Sequence, residues 1–188
     1  IPSELTTTEG LTTKVAILDT GVDLNNPAWL NDNSTNIVLW QNAMQGGCVA
    51  GDVNGYDFFN STPTMNDPIP DDLSSDGHGT AVTGMIRSDF PKEVNEVLGS
   101  NYANLDLDII TLKISELNRG TVFDALCAIY YALENNAQVM NMSWGFRPQE
   151  YPSVLANAMQ EVSCAQIPVI TSAGNNPAIN LDEVDKFP

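Results

Sequence analysis

Positive charge is scarce in this chain of 188 residues: 7 Lys and Arg stand against 24 Asp and Glu, for a formal net charge of −17. A surface of that sign repels phosphate backbones and anionic lipid headgroups, so neither nucleic-acid binding nor a membrane-surface role is expected. It favours solubility and suits a secreted or cell-surface protein without establishing export. No stretch approaches the roughly 20 consecutive apolar residues of a spanning helix, so membrane insertion is not expected either. Cysteine is limited to Cys48, Cys127 and Cys164, which allow at most one intrachain disulfide and leave one thiol over. Their spacing supports no zinc site, and Cys127 and Cys164 fall in apolar helical patterns, where buried free thiols are common. The redox compartment stays open. The opening Ile1-Pro2-Ser3-Glu4 is neither an initiator methionine nor a signal peptide and reads as a processed or trimmed end. Scarcest of all is histidine, present once, at position 78.

That histidine sits in Asp76-Gly77-His78-Gly79-Thr80. Imidazole exchanges protons near neutrality, and the flanking glycines permit a close backbone approach and leave the ring reachable. The following Thr80-Ala81-Val82-Thr83-Gly84-Met85-Ile86 is small and apolar, as in the opening of a buried helix. A base in the first turn of such a helix is firmly held; a capped helix with a hydrogen-bonded histidine is the plainer alternative.

The length suits one domain over residues 1–188, with 43% hydrophobic residues to build its core. After a polar, Thr-rich lead-in, Lys14-Val15-Ala16-Ile17-Leu18 reads as a buried parallel strand stopped by Asp19-Thr20-Gly21. Residues 22–73 show little periodicity, apart from a short strand near Gly55–Asn60, and a stretch of that kind commonly carries function. A strand at Leu107–Ile114 comes next, then a helix over Thr121–Asn135 with Val122, Leu126, Ile129, Tyr130 and Leu133 inward. Gln138–Met142 is a strand, a helix from about Pro152 turns Val154, Leu155, Ala158, Met159 and Val162 inward, and Ile167–Thr171 is a strand again. This alternation predicts an α/β fold, a parallel sheet with crossover helices. Ligand sites in such folds lie beyond the carboxyl ends of the strands. Asp19-Thr20-Gly21, Ser143-Trp144-Gly145 and Ala173-Gly174-Asn175 all fall there.

Each of these stretches has a chemical and a plainer reading. A buried Asp19 needs donors, and a histidine Nδ1–H would supply one, while the carboxylate fixed the tautomer and stabilised the imidazolium; alternatively Asp19 caps its turn. The amide of Asn175 can donate to an oxyanion, or simply occupy a turn beside Asn176 and Pro177. Ser143-Trp144-Gly145 offers a strand edge to an extended peptide, or only ends a strand.

The ordered set Asp-Thr-Gly, His-Gly-Thr, Asn-Met-Ser-Trp-Gly and Ser-Ala-Gly-Asn resembles the subtilisin-like serine proteases, the subtilases, across Lys14 to Asn176. The resemblance implies that Asp19 and His78 are triad residues, that Asn175 is the oxyanion-hole donor, and that Ser143, Trp144 and Gly145 bind substrate backbone. Asn25-Asn26-Pro27 also falls where these enzymes often carry a polar pair before proline. Ala81 departs from the pattern, standing where many subtilases have a second histidine. The family's nucleophile departs further: it lies in a Gly-Thr-Ser segment opening a later helix, and these 188 residues contain no such segment. The expectation is the N-terminal two-thirds of a catalytic domain, incomplete at its C-terminus and inactive alone. When complete it would be a serine endopeptidase acting on peptide or protein substrates, with no cofactor required for the chemistry. The rival is a catalytically inactive, subtilase-like peptide-binding module. Structural calcium is a further possibility in the loop holding Asp52, Asp57, Asp67, Asp71, Asp72 and Asp76, as in many subtilases, but without regular ligand spacing a solvated acidic loop is the default.

Overall fold

The computed structural model describes residues 12–26, 37–39, 52, 54–60, 70–72, 77–98, 106–117, 119–145 and 153–173. In chain order its elements are β1 (Thr12–Asp19), β2 (Ile37–Leu39), β3 (Gly55–Asp57), α1 (His78–Leu98), β4 (Asp106–Lys113), β5 (Ser115–Glu116), β6 (Arg119–Gly120), α2 (Val122–Glu134), β7 (Val139–Met142), α3 (Ser153–Cys164) and β8 (Val169–Thr171). The main sheet runs β2-β4-β1-β7-β8, and every pairing in it is parallel. β3 also pairs with β4, beyond β2 on the same edge: β2 takes Leu107–Ile109 and β3 takes Thr111–Lys113. β5 and β6 form a separate antiparallel hairpin.

β1 is central because its apolar run can be buried on both faces. Alternation along the strand sends Val15 and Ile17 to one side, where with Leu107 and Ile109 they meet Val82, Ile86 and Phe90 of α1. Ala16 and Leu18 turn the other way, joining Ile110, Leu112, Met140 and Met142 under α2 and α3. Crossover helices therefore cover both faces, as the alternation predicts. On α2 the buried line is Ala125, Ala128, Ile129 and Ala132, whose three alanines let the helix lie close on the sheet, and a Thr121–Asp124 capping box starts it.

Several expectations need correction. Tyr130 does not face the core; it is half-exposed, and its hydroxyl donates to Glu161 of α3 at 3.0 Å. A tyrosine at the flank of the apolar stripe keeps its polar tip in reach of a partner, and Tyr131 turns inward in its place, packed with Tyr56 and Phe58. Val154 is exposed, off the line of Leu155, Ala158 and Val162 that faces the core. Cys164, at the end of α3, is exposed rather than buried, and Cys127 is half-buried; both are free thiols. β2 lies within the stretch where no periodicity was legible, and three residues are too few to show one. β3 ends at Asp57, three residues short of the expected Asn60, and the β5–β6 hairpin was not expected; the other strands and helices that were expected fall within two residues of their expected ends.

The acidic loop departs most from expectation. Asp52, Asp57 and Asp72 are buried, not solvated. Each has found donors, the condition for burying a carboxylate. Asp52 accepts from the Tyr131 hydroxyl at 2.6 Å, Asp57 from the backbone and side-chain amides of Asn60 at 2.8 and 2.7 Å, and Asp72 from Thr80. Lys113, at the end of β4, is 1% exposed. Its ammonium donates to the Asp71 carbonyl at 2.8 Å and to Asp71 Oδ1 at 3.1 Å, with Asp57 3.9 Å and Glu116 3.7 Å away. Removing one partner of a buried ionic cluster leaves the other charges uncompensated. Lys113→Met is therefore expected to lower the unfolding free energy by about 3–5 kcal/mol in urea denaturation, and a variant as stable as the parent would show that the ammonium anchors nothing.

Candidate active site

Alternation along β1 places Asp19 on the same face as Val15 and Ile17, the face covered by α1. α1 begins at His78, so the end of β1 and the start of α1 meet above the carboxyl edge of the sheet. There His78 Nδ1 lies 2.7 Å from Asp19 Oδ1. An ionised carboxylate can only accept, so Nδ1 carries the proton, and in the neutral imidazole Nε2 then holds the lone pair. The Asp19 side chain is 3% exposed and that of His78 48%: the acid is enclosed and the base is reachable.

The close approach depends on glycine. A Cβ on Gly79 would strike the Gly21 carbonyl, and one on Gly21, which has φ +109°, would strike the Asp71 carbonyl. Three backbone segments thus touch with nothing between them. Gly77, at φ +58°, bends the chain into α1 but brings no capping side chain. The free N–H groups of the first turn find partners elsewhere in the chain: Gly79 donates to Thr20 Oγ1 at 2.8 Å and Thr80 to Asp72 Oδ2 at 3.0 Å. The Thr80 hydroxyl also donates to Asp72 Oδ2, at 2.6 Å, and accepts from the Asp23 N–H at 2.8 Å.

Asp19 Oδ1 accepts a second hydrogen bond, from the Thr20 N–H at 2.8 Å, while Oδ2 is buried with no partner among the described residues. Burial pushes the Asp19 carboxyl above the ordinary carboxylate range; the hydrogen bonds from His78 and Thr20 pull it back, and the charge of Asp72 adds to the upward push. The result is a carboxylate more basic than usual accepting the imidazole proton.

Ser143, Trp144 and Gly145 follow β7, the neighbour of β1, at the same edge of the sheet. Asn141 Nδ2 donates to Ser143 Oγ at 2.8 Å, Trp144 packs against the larger core, and Gly145 is exposed. Asn175 lies outside the described residues, which end at Ala173 just beyond β8. Sequence reasoning missed Thr20, Thr80 and Asp72. The signal for the two threonines was their place inside the Asp-Thr-Gly and His-Gly-Thr stretches; Asp72 had none, because its partner is eight residues away. As to calcium, Asp52, Asp57, Asp71 and Asp72 have protein partners, and among the described residues no three acidic, histidine or cysteine side chains gather to hold an ion. Asp67 and Asp76 lie outside the described residues.

The domain is a parallel α/β fold with a carboxylate–imidazole pair at its carboxyl edge. The chain belongs to the subtilase family, whose model matches residues 10–188. It is 28% identical over 175 residues to an intracellular serine protease of Paenibacillus polymyxa and 29% identical over 164 residues to a thermophilic serine proteinase of Bacillus sp. (strain AK1). These alignments cover 93% and 87% of this chain but 45% and 33% of the relatives, so the chain spans less than half the length of either. In structure it is similar to a lanthipeptide protease (TM-score 0.55, 21% identity, covering 87% of this chain and 39% of that one). A cold-adapted subtilisin-like serine proteinase gives a TM-score of 0.52 at 24% identity, with 87% and 46% covered. At these identities the structural likeness speaks for the fold.

The unpaired Oδ2 and the raised pKa of Asp19 mark it as a residue that costs stability when ionised. With the folded pKa above the unfolded one, the penalty is present at neutral pH and disappears as the pH falls through the folded value. Asp19→Asn is therefore expected to raise Tm at pH 7, with the gap to the parent narrowing on acidification. A lower Tm for the variant at neutral pH would mean that the ionised carboxylate is net stabilising.

Proposed function

We propose that the whole protein to which these residues belong is a serine endopeptidase that cleaves peptide bonds by acyl transfer. The observation that carries the reading is the 2.7 Å contact between Nδ1 of a half-exposed His78 and an enclosed Asp19. In this reading Nε2 takes the proton of a serine hydroxyl as it attacks the scissile carbonyl, then returns it to the departing amine. Asp19 keeps Nδ1 protonated and stabilises the imidazolium formed between the two steps. The Asn175 amide donates to the oxyanion. Ser143, Trp144 and Gly145 pair with the main chain of an extended peptide. The attacking serine is assigned to a segment outside these 188 residues. The chemistry draws on side chains alone, and the substrate is a peptide or protein rather than a nucleic acid.

A catalytically inactive binding module is the weaker reading. A peptide groove has no use for a buried carboxylate aligned on an imidazole, and the unpaired Asp19 oxygen is costly to keep without chemistry. A secreted or cell-surface location belongs to the proposal on the strength of the acid-rich composition; the P. polymyxa relative is by name intracellular, which makes the compartment a separate measurement. Among the described residues no helix is long and apolar enough to cross a membrane.

The test is made on the full-length protein with a fluorophosphonate probe and a fluorogenic peptide. Labelling and turnover are expected together. His78→Ala should lower kcat by about 10⁶ and Asn175→Ala by about 10²–10³ with KM little changed. Replacing Asp19 and His78 together should cost far less than the product of the single losses. A full-length protein that neither labels nor cleaves would overturn the reading.

The 188-residue chain by itself is expected to give no turnover and no labelling, since its nucleophile is placed elsewhere. Labelling of that chain would mean that one of its own serines attacks.

A further inference from the structure

The start of α1 is tied to the end of β1 by a ring of hydrogen bonds that closes through Asp72. Asp72 Oδ2 accepts from both the N–H and the hydroxyl of Thr80, and the Thr80 hydroxyl accepts from the N–H of Asp23, four residues beyond Asp19. One carboxylate oxygen therefore fixes the turn that presents His78 against the segment that presents Asp19. The side chain is 4% exposed, so water does not readily replace it.

What holds Asp72 is equally specific. The Val22 N–H donates to the Pro70 carbonyl at 2.8 Å, and Val22 and Asp71 form an isolated parallel bridge. From the other side the buried Lys113 ammonium donates to the carbonyl and carboxylate of Asp71. Residues 70–72 are pinned between the exit of β1 and the end of β4, and the fit is tight enough to require glycine at position 21.

We propose that Asp72 is a positioning residue for His78, acting through Thr80, and that Lys113 holds it in register through Asp71. The inference rests on the reading of His78 as the general base. Without Asp72 the Thr80 N–H is left buried and unpaired, and α1 loses its tie to the Asp19 segment. A misplacement of about 1 Å in a reacting group can cost about 10²-fold in rate. Asp72 also acts through its charge. The charged groups on the segments around the start of α1 are Asp19 from β1, Asp23 after it with its carboxylate on the Asn25 N–H, Asp71 and Asp72 from the pinned segment, and Lys113 from β4 with Asp57 and Glu116 beside it. Within that group the Asp72 carboxylate favours the protonated imidazole.

The experiment compares Asp72→Ala and Asp72→Asn in the full-length protein. Peptide kinetics are normalised by active-site titration, and the His78 imidazole is followed through its pH titration by NMR, its resonance assigned by its loss in His78→Ala. Asp72→Ala is expected to lower kcat about 10- to 100-fold with KM little changed. Asp72→Asn keeps an oxygen acceptor for Thr80 and should recover most of that loss. In both variants the His78 pKa should fall, because a negative charge that favoured imidazolium is gone. A purely structural cap would lower stability but leave kcat per titrated active site at the parent's value. If Asp72→Ala does not fold, the Asn variant carries the test through its titration. A folded Asp72→Asn that titrates as the parent does, or an Asp72→Ala with the parent's kcat, overturns the proposal. If the parent hydrolyses nothing, the functional reading fails, and the imidazole titration alone decides the case for Asp72.

Discussion

Asp19 and Lys113 end neighbouring strands opposite one another, and alternation turns both side chains to the α1 face. This register governs the site. One step of slippage between β1 and β4 would send one member of the pair to the opposite face, into the apolar layer under α2 and α3. The eight-residue pairing and the interleaved apolar side chains on both faces make such a slip prohibitive. From this fixed point the two charges reach to different structures. The carboxylate takes the imidazole and the ammonium takes the loop at Asp71. The sheet contributes neither base nor nucleophile of its own; it supplies two charged side chains at a set separation, and the rest of the site is hung from them.

The surplus of acid has a structural side that the net charge conceals. Asp19, Asp52, Asp57 and Asp72 are buried, and the described donors they meet are mostly neutral: a phenol, asparagine amides, a threonine and backbone N–H groups. The Tyr131 hydroxyl illustrates the consequence, since burial and the Asp52 charge push its pKa up and keep it protonated as a donor. With so few cations available, the chain stabilises interior carboxylates by hydrogen bonding and spends its one fully buried lysine among the described residues where three acids converge.

The fold and the Asp19–His78 pair were legible because their signals are local. An apolar run ending in Asp-Thr-Gly states both a strand and the carboxylate at its end, and alternating strand and helix patterns state a parallel sheet. Short motifs in a fixed order then supplied the family. What could not be read depended on partners far away in the chain. Asp72 looked like one more acid in a polar loop, and only the arrival of Thr80 and the pinning of Asp71 by Lys113 give it a place inside. Tyr130 and Val154 were misassigned because a helical stripe has a soft margin, where a side chain's length and polar tip decide its direction. Asn175 falls outside the described residues, so its role rests on sequence alone.

Among the described residues α1 has only a glycine at its own start, so the turn carrying His78 has no capping side chain there. Its caps, Thr20 and Asp72, come from segments that must already be docked on β1 and β4. Such non-local contacts bear a loop-closure cost before they return any stabilisation. The ordering of this turn therefore belongs to the late stages of folding, after the central strands have paired. A half-folded chain would carry its histidine on a frayed helix end, unaligned with Asp19. The architecture delays the alignment of His78 with Asp19 until the surrounding domain is built.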